Sequence, residues 1–217
     1  MLKKATAGLL VLLALPFLAN AQYDPEARKV LDAMSEKYRN ISSFSADLTQ
    51  TLSNAGEGLN ETMKGSVSVK GDMFLIKMGP QEIANDGQKV YVYLEEVNEI
   101  NIDFYYPDDS DITPSKIFDI YKEGYKYIKL PDETVNGKVC HIIDLIPEDD
   151  TGGQFYRIRL AVAKNDLMVQ RYQMYDRANT VYSFTFSNVK LNANLPNSMF
   201  KFDKTTHPNA AIVDLTN

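Results

Sequence analysis

Hydrophobic and polar residues change their spacing early in the chain. In DPEARKVLDAMSEKYRN, residues 24–40, the apolar positions Ala27, Val30, Leu31, Met34 and Tyr38 form one stripe at the 3.6-residue period. Asp24 can accept from the first free helical N–H groups and Pro25 suits the first turn, so an amphipathic helix is predicted here. From Ser42 the period falls to two: Phe44, Ala46 and Leu48 alternate with Ser45, Asp47 and Thr49, and similar alternation fills most of the remaining chain. Turn residues divide these runs at 54–58, Gly71 and Asp72, 85–87, Asn136 and Gly137, 150–153, 164–166 and 177–179. Short strands joined by tight turns predict an antiparallel meander in one continuous sheet.

One stretch breaks the alternation. In ITPSKIFDIYKEGY, residues 112–125, Thr113 can cap, Pro114 can start, Ile117, Phe118, Ile120 and Tyr121 make an apolar stripe, and Gly124 can stop a short second helix. Two helices are a modest filling for the concave face of a curved sheet. Apolar surface left uncovered there would line a cavity suited to apolar ligands. The methionines at 63, 73, 78, 168 and 174 suit such a site, because Met adapts to ligands of variable shape. The stretch DGQKVYVYLEEVNEINI, residues 86–102, poses the question most sharply: Val90, Val92 and Leu94 lie on one face of a strand and Tyr91 and Tyr93 on the other, so both faces need an apolar partner.

The N-terminus changes the picture of where this fold works. Lys3 and Lys4 precede the apolar run AGLLVLLALPFLA, which ends in Ala19, Asn20 and Ala21. Residues 1–21 thus read as a secretory signal peptide cleaved before Gln22, leaving residues 22–217 as one exported domain. No Cys follows the expected cleavage site to be lipidated, so a freely soluble protein is expected. Without Lys3 and Lys4 the chain has 21 basic and 29 acidic side chains, net −8, and no basic cluster longer than a pair. Nucleic acid and anionic membrane surfaces are poor partners for such a chain. The single Cys140 permits no internal disulfide.

Candidate chemistry is sparse. Cys140 and His141 are neighbours on a strand and point to opposite faces, so they cannot form a thiolate pair. His207 stands before Pro208 outside any nucleophile motif. Glu95, Glu96, Glu99 and Asp103 offer carboxylates, but their spacing singles out no acid and base. The acidic loops at Asp108, Asp109 and Asp111 and at Glu148, Asp149 and Asp150 do not follow calcium-loop spacing. No cofactor, metal site or catalytic residue is expected.

Taken in order, the helix, ISSFSADLTQT at 41–51, KGSVSVKGDMFLIKM at 64–78, NDGQKVYVYLEEVNEI at 85–100 and the tail MFKFDKTTHPNAAIVDL at 199–215 resemble the LolA-type periplasmic lipoprotein carriers. The resemblance covers nearly all of residues 22–217. It implies a mainly β fold with α: a curved antiparallel sheet forming an incomplete β-barrel, its concave face covered by the N-terminal helix and the short inserted helix. It also implies a monomeric periplasmic carrier that takes lipidated outer-membrane lipoproteins from an ATP-driven inner-membrane complex to an acceptor at the outer membrane, without covalent chemistry. Strand parity then places Phe74, Ile76, Tyr91, Tyr93, Met174, Phe184 and Phe186 around the acyl chains, with Ile117, Phe118, Ile120 and Tyr121 as the lid helix. Two departures stand out. Many family members carry a lid-latching Arg where this chain has Lys70 or Gly71, and Tyr91 replaces a frequent Trp. A lipid-sensing regulatory domain of the same fold, a small lipid hydrolase using His141 or His207, and a structural envelope protein are the competing readings.

Overall fold

The computed structural model describes residues 23–106, 113–114, 117–149 and 153–216. The expected signal peptide, and the acidic loop at Asp108, Asp109 and Asp111, lie outside the described residues. Helix α1 (Pro25–Arg39) starts where the pattern placed it: Asp24 Oδ1 accepts from the N–H groups of Glu26 and Ala27 at 2.8 and 3.3 Å. Glu26 in its first turn and Lys37 and Arg39 in its last complement the helix dipole.

Twelve strands follow among the described residues: β1 (Ser43–Asn54), β2 (Leu59–Lys70), β3 (Met73–Met78), β4 (Gln81–Asn85), β5 (Lys89–Leu94), β6 (Glu99–Phe104), β7 (Tyr125–Val135), β8 (Lys138–Pro147), β9 (Phe155–Ala163), β10 (Val169–Asp176), β11 (Val181–Leu191) and β12 (Ala211–Asp214). They form one sheet in the order β12-β6-β5-β4-β3-β2-β1-β11-β10-β9-β8-β7. The expected single meander is thus two meanders, β1 to β6 and β7 to β11, joined where β1 pairs with β11. The sheet curves without closing, an incomplete barrel. Asn136 and Gly137 show the turn chemistry at work, with φ of 52° and 75° in a two-residue hairpin between β7 and β8.

The inner face holds the main core. Ala27, Val30, Leu31 and Met34 of α1 pack among Tyr127, Ile143, Leu145, Ile158, Leu160, Val162 and Val169 of β7 to β10, with Phe44, Ala46, Leu48, Val67 and Val69 continuing the cluster onto β1 and β2. The helix therefore fills chiefly one half of the concavity. The bulge between β1 and β11 at Asn188 (φ 51°) keeps the inward set continuous, because Phe184 and Phe186 precede it and Val189 follows it with all three against this core.

The outer face carries a second cluster, in which the chain's last segment packs Phe200, Phe202 and Ala210 over Leu75, Ala84, Tyr91, Ile100 and Ile102. Lys70 holds this segment, its Nζ donating to Leu195 O and Asn197 Oδ1, both at 2.8 Å. Both sheet edges meet terminal segments. β12 adds in parallel to β6, and Tyr23 bridges β7, where Asp24 N–H donates to Tyr127 O at 3.1 Å. In the inserted segment, among the described residues, a 3-10 turn spans Ile120–Lys122 and a helical hydrogen bond runs from Ile117 N–H to Thr113 O at 3.1 Å, while Ser115 and Lys116 of the expected helix lie outside the described residues.

Candidate functional site

Where α1 does not reach, the inner face is open. A cavity of about 560 Å³ lies between the walls of β1 to β4, β10 and β11 and the segment carrying Thr113, Pro114, Ile117 and Phe118. Its wall is built in cross-strand rows, since directly paired residues share a face. One row reads Tyr172, Phe184, Gln50, Met63; the next reads Phe186, Leu48, Gly65, Met78, Gln81; the third reads Ala46, Val67, Ile76, Ile83. All but Gly65 and Ala46 line the cavity. The volume is in the range of small-molecule sites, about 300–1,000 Å³, and the lining is mostly aliphatic, aromatic and thioether, with Gln50, Gln81 and Thr113 as polar members. A groove of similar size, about 580 Å³, runs past Ser45, Asp47, Ser66, Ser68 and Lys190. Its polar wall suits water, so the apolar cavity is the candidate site.

Gly65 shapes this wall. A Cβ there would fall 2.0 Å from Lys77 O, a backbone atom of β3, so β2 and β3 approach closely only because the position has no side chain.

The roof is tied chiefly to α1, with Phe44 of β1 adding one ring contact. Phe118 stacks on Tyr38 with ring centroids 3.4 Å apart and meets Phe44 edge-on at 6.0 Å. Behind it, Asp119 accepts hydrogen bonds from Ser35 Oγ and Lys122 Nζ and faces Arg39 at 3.9 Å. Lys122 Nζ and Arg39 Nη2 also donate to Ser35 Oγ, at 2.9 and 3.1 Å, and the Tyr121 hydroxyl donates to Asp32 at 2.7 Å. Burial alone would raise the Asp119 carboxyl, but the hydrogen bonds from Lys122 and Ser35 and the charges of Lys122 and Arg39 outweigh it and hold the group below its usual value.

The sequence-named residues divide between several places. Ile76, Met174, Phe184 and Phe186 line the cavity together with Ile117 and Phe118. Phe74 faces the same side but is buried against Tyr105, and Ile120 and Tyr121 pack into the core around α1 instead of lining the cavity. Tyr91 and Tyr93 lie on the opposite face and are corrected to it. Tyr91 meets Phe202 edge-on and donates to Asp86 at 2.9 Å, its hydroxyl pushed up to about 12 by burial; Tyr93 stacks on His207 at 3.8 Å. The physical reason is parity: Val90, Val92 and Leu94 share the inner side of β5, where Val92 pairs with the cavity residue Ile83. Lys70 likewise faces outward and clasps the tail, so it latches no lid.

Of the methionines, 63, 78 and 174 line the cavity, while Met73 packs with the outer cluster and Met168 is buried outside the cavity wall. Phe44, Leu48, Gln50, Val67, Ile83 and Tyr172 complete the wall without having been singled out. Their signal was present in the alternation with named neighbours, as Tyr172 is two residues from Met174 and Ile83 opposes Ile76. Cys140 is buried in a small outer cluster with Val135, Ile142, Ala161 and Ala163, and burial pushes its thiol up. Among the described residues no three metal-ligating side chains converge, and no helix is long and apolar enough to cross a membrane.

The chain is 23% identical over 196 residues to an uncharacterized protein of Methanocaldococcus jannaschii, an alignment covering 86% of this chain and 54% of that one. It thus spans about half the length of the curated relative it matches. Among solved structures, an uncharacterized conserved protein from Thermus thermophilus superposes with a TM-score of 0.58 at 13% identity, covering 87% of this chain and 99% of its own. The Mycobacterium tuberculosis lipoprotein LppX superposes with a TM-score of 0.50 at 10% identity, covering 80% and 98%. At such identities these likenesses speak for the fold. The family model described as outer membrane lipoprotein carrier protein LolA matches residues 39–203, from the end of α1 into the outer-face tail as far as Phe200 and Phe202 and across every wall of the cavity, and the chain belongs to that family.

Proposed function

We propose that this protein is a periplasmic carrier that holds the acyl chains of lipoproteins in the cavity between the sheet and the roof formed by Thr113, Pro114, Ile117 and Phe118, and conveys them from the inner to the outer membrane. The observation that carries this reading is the cavity itself. An apolar space of about 560 Å³ is kept open beside a helix that fills the rest of the concavity. A core built only for stability would close it, because unfilled apolar space forfeits packing energy. Its occupant is apolar, and the family suggests the lipid moiety of a lipoprotein.

The energetics suit transport. Each acyl CH₂ released into water costs about 0.8 kcal/mol, so a lipidated protein needs a container to leave a membrane. It must also be released, and a roof held by the aromatic contacts of Phe118, a half-exposed ionic cluster and the packing of Tyr121 has no covalent tie to hinder opening. The sequence supports export through residues 1–21. On the family resemblance, the carrier would work as a monomer by binding alone, and its donor would be an ATP-driven inner-membrane complex.

Native mass spectrometry of the protein purified from a periplasmic extract tests the reading, with the lipids extracted and identified. Wild type is expected to carry acylated lipoprotein or its lipid, and an Ile83→Glu, Ile117→Glu variant that remains folded by circular dichroism is expected to carry none. A wild-type protein that emerges empty, and stays empty when offered detergent-solubilised lipoprotein, would overturn it.

A further inference from the structure

Gln50, Gln81, Thr113 and Tyr172 bring polar groups to the cavity lining, and of these the Tyr172 hydroxyl is the one buried without a partner among the described residues. Tyr172 on β10 is 2% exposed and lines the cavity between Leu160 and Phe184 in its cross-strand row. Its hydroxyl is buried without a hydrogen-bond partner among the described residues. Four tyrosines at the helix, roof and outer cluster have one: Tyr38 accepts from Val169 N–H, Tyr121 donates to Asp32, Tyr91 to Asp86 and Tyr93 to Asn98. A buried hydroxyl left unpaired is destabilising, and Phe would fill the same space without that cost.

We propose that the Tyr172 hydroxyl is the cavity's receptor for an acyl carbonyl, donating a hydrogen bond to the ester or amide oxygen at the head of a bound acyl chain. The inference rests on the carrier reading and narrows its ligand class. The cavity takes chains joined through a carbonyl, in preference to ether-linked or plain hydrocarbon chains of equal length. Several features support a donor role. Burial holds the phenol far above its usual value, so it keeps its proton at any physiological pH. The neighbours along its row and two residues on, Leu160, Phe184 and Met174, are apolar, and the Tyr125 phenol, which is close enough to act on it electrostatically, makes no hydrogen bond to it. Gln50 lies one position beyond Phe184 in the same row, half-buried, where it can meet the more hydrated part of a headgroup. An acyl ligand whose carbonyl sits at Tyr172 therefore has its polar end along this row and its methylenes against Ile76, Ile83 and Val67.

The test compares wild type, Tyr172→Phe and Gln50→Leu by displacement of the fluorescent reporter phenylnaphthylamine, which has no carbonyl. Competitors are dipalmitoylglycerol, its diether counterpart dihexadecylglycerol, and an N-palmitoylated peptide to separate amide from ester. Wild type is expected to bind the ester lipid about five- to tenfold more tightly than the diether. In Tyr172→Phe that preference disappears through weaker ester binding, diether binding is unchanged, and the empty variant melts at a higher temperature than wild type. Gln50→Leu is expected to keep the preference. If both lipids bind but the ester-to-ether ratio is the same in wild type and Tyr172→Phe, the carbonyl receptor is overturned and the carrier reading stands. Wild type that binds neither lipid nor the acylated peptide overturns both. A lower melting temperature in Tyr172→Phe would show that the hydroxyl is already satisfied in the empty protein, and would overturn the receptor role.

Discussion

Asp24 has both carboxylate oxygens engaged. Oδ1 caps α1, and Oδ2 accepts from Lys129 N–H at 3.0 Å, so one side chain starts the helix and fixes it to the edge strand β7. The bond from Lys129, with those from Ala27 and Glu26, holds the carboxyl below its usual value despite partial burial. A lowered aspartate pKa stabilises the fold above its unfolded value, near 3.9, and that stabilisation is lost as pH falls through the folded value. Asp24→Ala is expected to cost about 1–2 kcal/mol in urea unfolding at neutral pH, and less against wild type as the medium is acidified. At Gly65 the limit is steric. A Cβ would meet the Lys77 carbonyl of β3, and no side-chain rotation relieves a clash with backbone. Gly65→Ala is expected to lower stability by about 1–3 kcal/mol, and an unchanged urea midpoint would contradict the contact. Asp24 could be read from the sequence because capping is local. Gly65 could be read only as a strand glycine, because its constraint comes from a strand across the sheet.

At the scale of elements, α1 and the hairpins were legible because their signals are short-range: a cap, a stripe, a two-residue turn with positive φ. The pairing of β1 with β11 was not. It joins residues about 130 to 150 apart, and nothing local in either strand names its partner. The same gap explains the tyrosines of β5. Alternation showed that both faces were apolar, but which one met the helix depended on the tail returning to cover the other. The roof is the element with a testable switch. Asp119 gathers Ser35, Lys122 and Arg39 around a carboxylate held below its usual value, so the cluster is intact above about pH 4 and is lost as pH falls through the folded value. Release of a bound fluorescent lipid is therefore expected to accelerate in wild type as pH drops below about 4. Asp119→Asn should release it severalfold faster at neutral pH and show little further acceleration in acid. A variant that keeps the full acid response would place the switch on another group.

For the whole molecule, stability and binding make opposed demands on the same inner face. α1 packs one half of the concavity as a conventional core, with Leu31, Met34, Ile143, Leu145, Leu160 and Val162 fully buried, while the other half keeps its walls apart. What holds the walls open is the outer face: Phe200, Phe202 and Ala210 brace β3 to β6 from behind, Lys70 fastens the segment, and β12 secures the edge of β6. The apolar outer surface of Tyr91 and Ile102 is thus spent on bracing, and the inner row is left for a ligand. If the open space is functional, filling it should raise stability and lower affinity together. Ile83 is suited to this because it lines the cavity, is only half-buried and faces open volume. Ile83→Phe is expected to stabilise the empty protein by about 0.5–2 kcal/mol and to weaken displacement by dipalmitoylglycerol at least tenfold, read on one preparation by thermal unfolding and competition. A stabilised variant with undiminished binding would mean the ligand lies elsewhere on the sheet. A destabilised one would mean the walls are already packed as a core around less space than they enclose.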